Sequence, residues 1–305
     1  MAITSGLIKE LRERTGAGML DCKNVLTEVE GDIEKAIDEL RKRGLAKAAK
    51  KSGRIAAEGL VRVVKNEDAS KAGILEVNIE TDFASKNEEF VGFVDALAAQ
   101  TLTTAATDVD GLLAEKYAGT GETVQEWLTN FIAKVGENVS VRRFETLSEP
   151  GVVYVDYLHL GGKIGVIVGL KTDASYAEVE TIGKDVAMQV ASMNPLFIDE
   201  SAVDPDYIEK EKAILVEQAL AEGKPAEIVE KMVMGRLKKE LKETCLLEQK
   251  FVKNGDLTVA QYVKDGGKAI GKDVAVVSKV RYEVGEGIEK KEENFAEEVA
   301  KQMGQ

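Results

Sequence analysis

One histidine, two cysteines and four prolines in 305 residues leave this chain little of the usual material for metal or nucleophile chemistry. With His159 as the single histidine, a His-based metal cluster or a Ser–His relay would have to be built around that one ring. It sits in an alternating segment, where a structural or contact role is a simpler reading than that of a catalytic base. Cys22 and Cys245 lie far apart, belong to no CxxC pair and have no histidine cluster nearby. Two unpaired thiols in a reducing cytoplasm are expected. No apolar run approaches the roughly 20 residues of a membrane helix, so no membrane partner is expected. The opening MAITSGLIKE lacks a basic start followed by an apolar stretch, so no secretory signal is expected. Neither a cofactor nor a bound metal is expected, and an enzyme reading has little to stand on.

Charged residues make up 31% and hydrophobic ones 44%, the balance of a soluble globular protein. The length accommodates two or three domains with cores of their own. The net charge of -13 repels nucleic acid and anionic membrane over the chain as a whole, though not a protein partner. One segment runs the other way. Residues 41–54, RKRGLAKAAKKSGR, carry Arg41, Lys42, Arg43, Lys47, Lys50, Lys51 and Arg54 with no acid among them. A nucleic-acid-binding accessory role would use this stretch. It contains no aromatic for base stacking, and a solvated linker helix is the simpler reading.

The pattern predicts three short helices first. Residues 4–15 start with Thr4 or Ser5 as a cap and can end at Gly16. A second helix covers about 19–30. A third is capped by Asp32, carries Ile33, Ile37 and Leu40 inside and is expected to end at Gly44, followed by a partly helical basic tether. The texture changes at 58. Residues 58–65 and 73–80 alternate apolar and polar and predict a hairpin. Helices over 87–104 and 122–135 and a strand over 138–145 follow. The same order then recurs: a hairpin over 152–159 and 163–170 around Gly161-Gly162, a helix over 175–192 and a strand over 274–283. VSVRRFE and VSKVRYE are similar, which suggests two related hairpin–helix–strand units. Between the last helix and strand lie two polar helical stretches, 201–222 and 225–243, punctuated by Gly223-Lys224-Pro225.

The expected class is α+β with antiparallel sheets. The expected division is a helical module and basic linker over 1–54, a first core subdomain over 55–147, and a second over 148–195 and 247–285. An inserted helical hairpin occupies 196–246 and a C-terminal helical module 286–305. One near miss is GGKAIGK at 266–272, which fits G-x-x-x-x-G-K. Asp273 stands where a phosphate loop has its magnesium-binding Ser or Thr, and the preceding residues look helical rather than strand-like. A nucleotide-hydrolysing enzyme is not expected from it.

Residues 11–26, LRERTGAGMLDCKNVL, and 75–87, LEVNIETDFASKN, closely resemble the two signature segments of the elongation factor Ts family. The stretch GKPAEIVEKMVMGRLKK at 223–239 and the tail at 281–302 are similar to that family as well. The resemblance covers essentially the whole chain, in family order. It departs at Ile79 and Glu80, where the family commonly has Cys-Gln, at Ala84 in place of Val, and at Leu20 in place of a second Met.

The resemblance implies a guanine-nucleotide exchange factor, not an enzyme, whose partner is the translation GTPase elongation factor Tu in its GDP-bound and nucleotide-free forms. It implies that Phe83 is a wedge near the partner's magnesium site, with Asp82 as its polar neighbour and Thr81 and Ala84 framing the pair. From sequence alone Phe83 could equally be a core residue at a strand end. The polar run Ser85-Lys86-Asn87-Glu88-Glu89 favours exposure. The N-terminal module resembles the family's ubiquitin-associated-like domain, which makes Lys9, Arg12, Met19 and Leu20 contact candidates. Met19 and Leu20 could also be core. His159, Gly161 and Gly162 lie where the family touches a more distant domain of the GTPase. The hairpin at 196–246 resembles a segment through which some members form homodimers, and an intramolecular helix pair remains the alternative. Direct contact with nucleic acid or membrane is not implied.

Overall fold

The computed structural model describes residues 3–289, apart from 119 and 224. The C-terminal helix expected over 292–303 lies outside the described residues.

Thr4 opens the first helix. Its hydroxyl accepts from the Leu7 amide at 3.2 Å, and α1 (Ser5–Thr15) runs until Gly16 takes a left-handed conformation at φ 65°. α2 (Met19–Glu28) follows. Asp32 then caps α3 (Ile33–Lys51) by accepting from the Lys35 amide at 3.1 Å. The three helices close a small core of Leu11, Cys22, Val25, Leu26 and Ala36.

The chain then enters β1 (Glu58–Lys65) and β2 (Ala72–Ile79). Every residue of β2 is buried. α4 (Glu88–Gln100), the short α5 (Val109–Ala114), α6 (Val124–Val135) and β3 (Val139–Leu147) follow, and the strand order is β1-β2-β3. α6 starts on a capping box between Thr123 and Glu126 and stops at Gly136, φ 78°. Stacked rings tie α4 to α6, with Phe93 3.9 Å from Trp127 between centroids and nearly parallel to it.

The sequence places the end of α3 at Gly44, and here the structure differs. Gly44 is a buried residue inside the helix, with Ala133 and Asn130 of α6 beside it. Arg41 pairs with Glu126 of α6, and Lys47 pairs with Asp21 of α2 at 2.9 Å. A glycine ends a helix when the chain needs a left-handed residue there. Here tertiary packing overrides that weak local signal. The expected basic tether is therefore largely helix, and it is seated on its neighbours.

β4 (Val152–His159) and β5 (Ile164–Lys171) form an antiparallel hairpin in which His159 pairs with Ile164. α7 (Tyr176–Met193), α8 (Pro205–Ala221), α9 (Ala226–Thr244), the two short strands β6 (Lys250–Phe251) and β7 (Asn254–Thr258), α10 (Val259–Ile270) and β8 (Ala275–Glu283) complete the chain. The second large sheet has the order β4-β5-β8. It matches the first sheet in topology: a hairpin, then a later strand beside the hairpin's second member. α7 lies so close to β4 that a Cβ on Gly183 would fall 2.3 Å from Val155. That helix, the sheet and α10 share one core that includes Val155, Val166, Val168, Val186, Val190 and Val263. The fold is α+β, as the alternating patterns predict.

The chain clusters into two compact units. One holds the described residues up to Arg62, Leu75–Phe144 and the described residues from Glu283 on. The other holds Val63–Ile74 and Glu145–Tyr282. No helix among the described residues is long and apolar enough to cross a membrane.

Candidate functional site

β2 delivers the chain from a fully buried environment to an exposed turn within a few residues. Ile79 is completely buried, whereas Phe83 is 85% exposed. The core alternative for Phe83 is thereby excluded within this chain. Ala84 and Ser85 are buried behind the ring, where a short 3-10 turn, Ala84–Lys86, begins. Further on in the same run Phe90 is completely buried. The first turn of α4 is fixed by Asn87, whose side chain accepts from the Glu89 and Phe90 amides at 2.9 and 3.3 Å.

The turn is held from within by ordinary polar chemistry. The Thr81 hydroxyl accepts from the Ala84 amide at 3.1 Å, and the Thr81 carbonyl accepts from the Ser85 amide at 3.1 Å. The Ser85 hydroxyl donates to the Asp82 carbonyl at 2.8 Å. Lys86 reaches back to the Asp82 carboxylate at 2.9 Å, an exposed pair spaced to neutralise charge beside the ring. Thr81, Asp82, Phe83 and Ala84 thus form a single unit with the aromatic ring at its tip. Two further residues belong to it that the sequence did not single out for this role. Glu137 accepts from both the amide and the hydroxyl of Thr81, at 3.0 and 2.9 Å. Glu80 accepts from the Asn138 amide at 2.5 Å. Local pattern gives no signal for Glu137, because its partner is 56 positions away.

The N-terminal module carries the second group. Met19 and Leu20, at the start of α2, are 62% and 69% exposed, which rules out their alternative reading as core residues. Lys9 and Arg12 are exposed and lie three positions apart on α1, so they share a face. Lys9 pairs loosely with Glu13 at 3.7 Å.

The third group is the β4–β5 turn. Leu160, Gly161 and Gly162 all have positive φ, at 49°, 67° and 96°. Two backbone hydrogen bonds close the turn, Gly162 to the His159 carbonyl at 3.1 Å and Lys163 to the Leu160 carbonyl at 3.4 Å. His159 is half-buried, and its Nδ1 lies 3.0 Å from the Tyr157 hydroxyl. The ring is thus held in place on the strand, which fits a contact role. Leu160 is 70% exposed and was not among the sequence candidates. A leucine directly before the Gly161-Gly162 turn pair, where a polar residue is usual, is the sequence signal that could have flagged it.

Among the described residues no group of three or more His, Cys, Asp or Glu side chains could hold a metal ion. The two cysteines are buried thiols, and burial pushes both above the usual thiol range. GGKAIGK lies mostly within α10, with Gly271 as its left-handed cap, so it forms no phosphate-binding loop.

The chain matches the family model described as elongation factor TS over residues 80–286. It is 57% identical over 301 residues to the elongation factor Ts of Clostridioides difficile, with 99% of each chain covered. It is 54% identical over 302 residues to that of Clostridium perfringens and 53% identical over 304 to that of a Clostridium botulinum strain, again with 99% of each covered.

Proposed function

The chain belongs to the elongation factor Ts family of translation elongation factors, and from that premise we propose that it drives GDP release from elongation factor Tu with Phe83 as the wedge. The carrying observation is a phenylalanine 85% exposed on a turn that hydrogen bonds hold in shape. An aromatic ring in water gains about 1.5–3 kcal/mol when it is buried in a partner. Inserted between two elements of the GTPase beside its magnesium, the ring uses that gain to keep them apart. Mg²⁺ bridges phosphate oxygens and protein ligands of the GTPase. Displacing its ligands leaves the phosphates less neutralised, so GDP leaves faster. No proton moves and no covalent intermediate forms.

Linkage sets the limits of this action. Whatever factor the exchange factor takes from GDP affinity, GDP takes from the affinity of the exchange factor. Each tenfold of mutual exclusion is about 1.4 kcal/mol. The nucleotide pool, not the exchange factor, decides which nucleotide enters next. Met19, Leu20, Lys9 and Arg12 supply a docking patch for the GTPase, and His159 with the Gly161-Gly162 turn supplies another. A homodimer would use the α8–α9 hairpin. Its helices already bury Ala219, Val229 and Val233 between them, leaving Ile228 and Met234 exposed for such a contact.

The nucleic-acid reading of residues 41–54 is disfavoured by ion pairing. Arg41, Arg43, Lys47 and Arg54 each pair with a carboxylate of this chain. The test of the leading reading is stopped-flow release of a fluorescent GDP from elongation factor Tu, with the wild-type protein and with Phe83→Ala. Strong acceleration by wild type and at least a tenfold loss in the variant is expected, about 1.4 kcal/mol. No acceleration by wild type with a GTPase from the same organism would sink the reading.

A further inference from the structure

We propose that Glu137 is a positioning residue for nucleotide exchange: from the loop between α6 and β3 it fixes the turn that presents Phe83. This rests on the reading of Phe83 as the wedge. The hydrogen-bonding needs of the turn lead to it. Once β2 ends at Ile79, the Thr81 amide has left the ladder and needs another acceptor. The Glu137 carboxylate supplies it at 3.0 Å, and its second oxygen accepts a hydrogen bond from the Thr81 hydroxyl at 2.9 Å. That second bond sets the rotation of the hydroxyl. With its proton committed to Glu137, the Thr81 oxygen presents a lone pair to the Ala84 amide, at 3.1 Å. A chain of hydrogen bonds therefore runs from Glu137 through Thr81 to the residue that follows Phe83.

The other side of the clamp is built the same way. Gly136 turns the chain sharply at the end of α6, which places Glu137 and Asn138 beside the end of β2. Glu80 accepts from the Asn138 amide at 2.5 Å while the neighbouring Glu137 accepts from the Thr81 amide. Each chain segment thus lends a carboxylate to the other's backbone. Asn138 is itself anchored, donating through its side chain to the Arg54 carbonyl at 2.8 Å. The Phe83 ring stands outside this clamp, which leaves it 85% exposed. A ring that must hold apart a pair of elements in another protein acts only as well as its base resists being pushed back. Ordering the base before contact removes that cost from the encounter.

The test is a double-mutant cycle on GDP release from elongation factor Tu, using the full chain with Glu137→Ala, Phe83→Ala and both together. Glu137→Ala alone is expected to slow release about tenfold, equivalent to about 1.4 kcal/mol. In the Phe83→Ala background the same change is expected to cost less than about twofold, because the group through which Glu137 acts is gone. Glu137→Gln keeps one acceptor, enough for the Thr81 amide, but puts an NH2 where the Thr81 hydroxyl donates, so it is expected to recover only part of the rate lost in Glu137→Ala. Thermal unfolding of each variant confirms that the fold is retained. A Glu137→Ala effect that persists in full without Phe83 overturns the inference. So does a Glu137→Gln variant as slow as Glu137→Ala, since the bond to the Thr81 amide would then carry none of the effect. A large Phe83→Ala loss with unchanged Glu137→Ala overturns the inference alone, whereas an unaffected Phe83→Ala overturns the wedge reading and the inference together.

Discussion

The turn that carries Phe83 and the turn that carries Leu160 both hold a large apolar side chain in solvent, at 85% and 70% exposure. They are built by different means. Around Phe83 the backbone is ordinary, at φ -67° and ψ -49°, and side chains do the holding: Thr81, Ser85 and, from across the subdomain, Glu137. Around Leu160 it is the backbone that does the bending. Three successive residues at positive φ bend the chain, and Leu160 does so although its Cβ is crowded there. The first design allows adjustment, since hydrogen bonds can be retuned one at a time. The second is set by covalent geometry and tolerates few residue types. We read the difference as one between a turn that drives a change in its partner and a turn that anchors.

Three changes separate the two designs. Phe83→Ala carries the largest expected effect, the loss of at least tenfold in GDP release, about 1.4 kcal/mol, with little change in stability. The same exposure that makes the ring available to a partner means that the isolated fold owes it little. Gly161→Val should cost stability, which Phe83→Ala does not. Nothing lies within 4 Å of a Cβ built on Gly161, so the cost is backbone strain at φ 67° alone. A loss of about 1–2 kcal/mol in unfolding free energy is expected, read from the denaturant midpoint. Leu160→Asn is the smallest and most diagnostic change. Asparagine accepts left-handed geometry more readily, so stability should rise by about 0.5–1 kcal/mol while affinity for elongation factor Tu falls a few-fold. An asparagine variant that gains both would remove Leu160 from the contact surface.

Much of this was legible in the sequence, and the failures have physical causes. Local signals worked where local forces decide. Thr4 and Asp32 cap their helices, Gly16 ends one, and Gly161-Gly162 marks the β4–β5 hairpin. The two related units could be read from alternating strands in the same order, and both sheets have the same topology. Gly44 misled because burial beside Ala133 outweighs a glycine's weak preference for ending a helix. The short helix α5 and the pair β6–β7 fell below the length at which periodicity can speak. Phe83 was balanced between core and surface on composition, with the polar run after it pointing outward as the structure does. Glu137 could not be seen at all, because a carboxylate between a helix and a strand announces nothing until the fold brings Thr81 to it.

The most direct measurement of the central claim compares wild type and Phe83→Ala for GDP release from elongation factor Tu, once with Mg²⁺ in excess and once with Mg²⁺ chelated. If the ring acts by loosening the magnesium site, chelation does the ring's work in advance. The two proteins should then differ at least tenfold with Mg²⁺ present and by less than about twofold without it. A full difference that survives chelation would contradict the account, and would mean that Phe83 acts on the nucleotide by a route that does not pass through the metal.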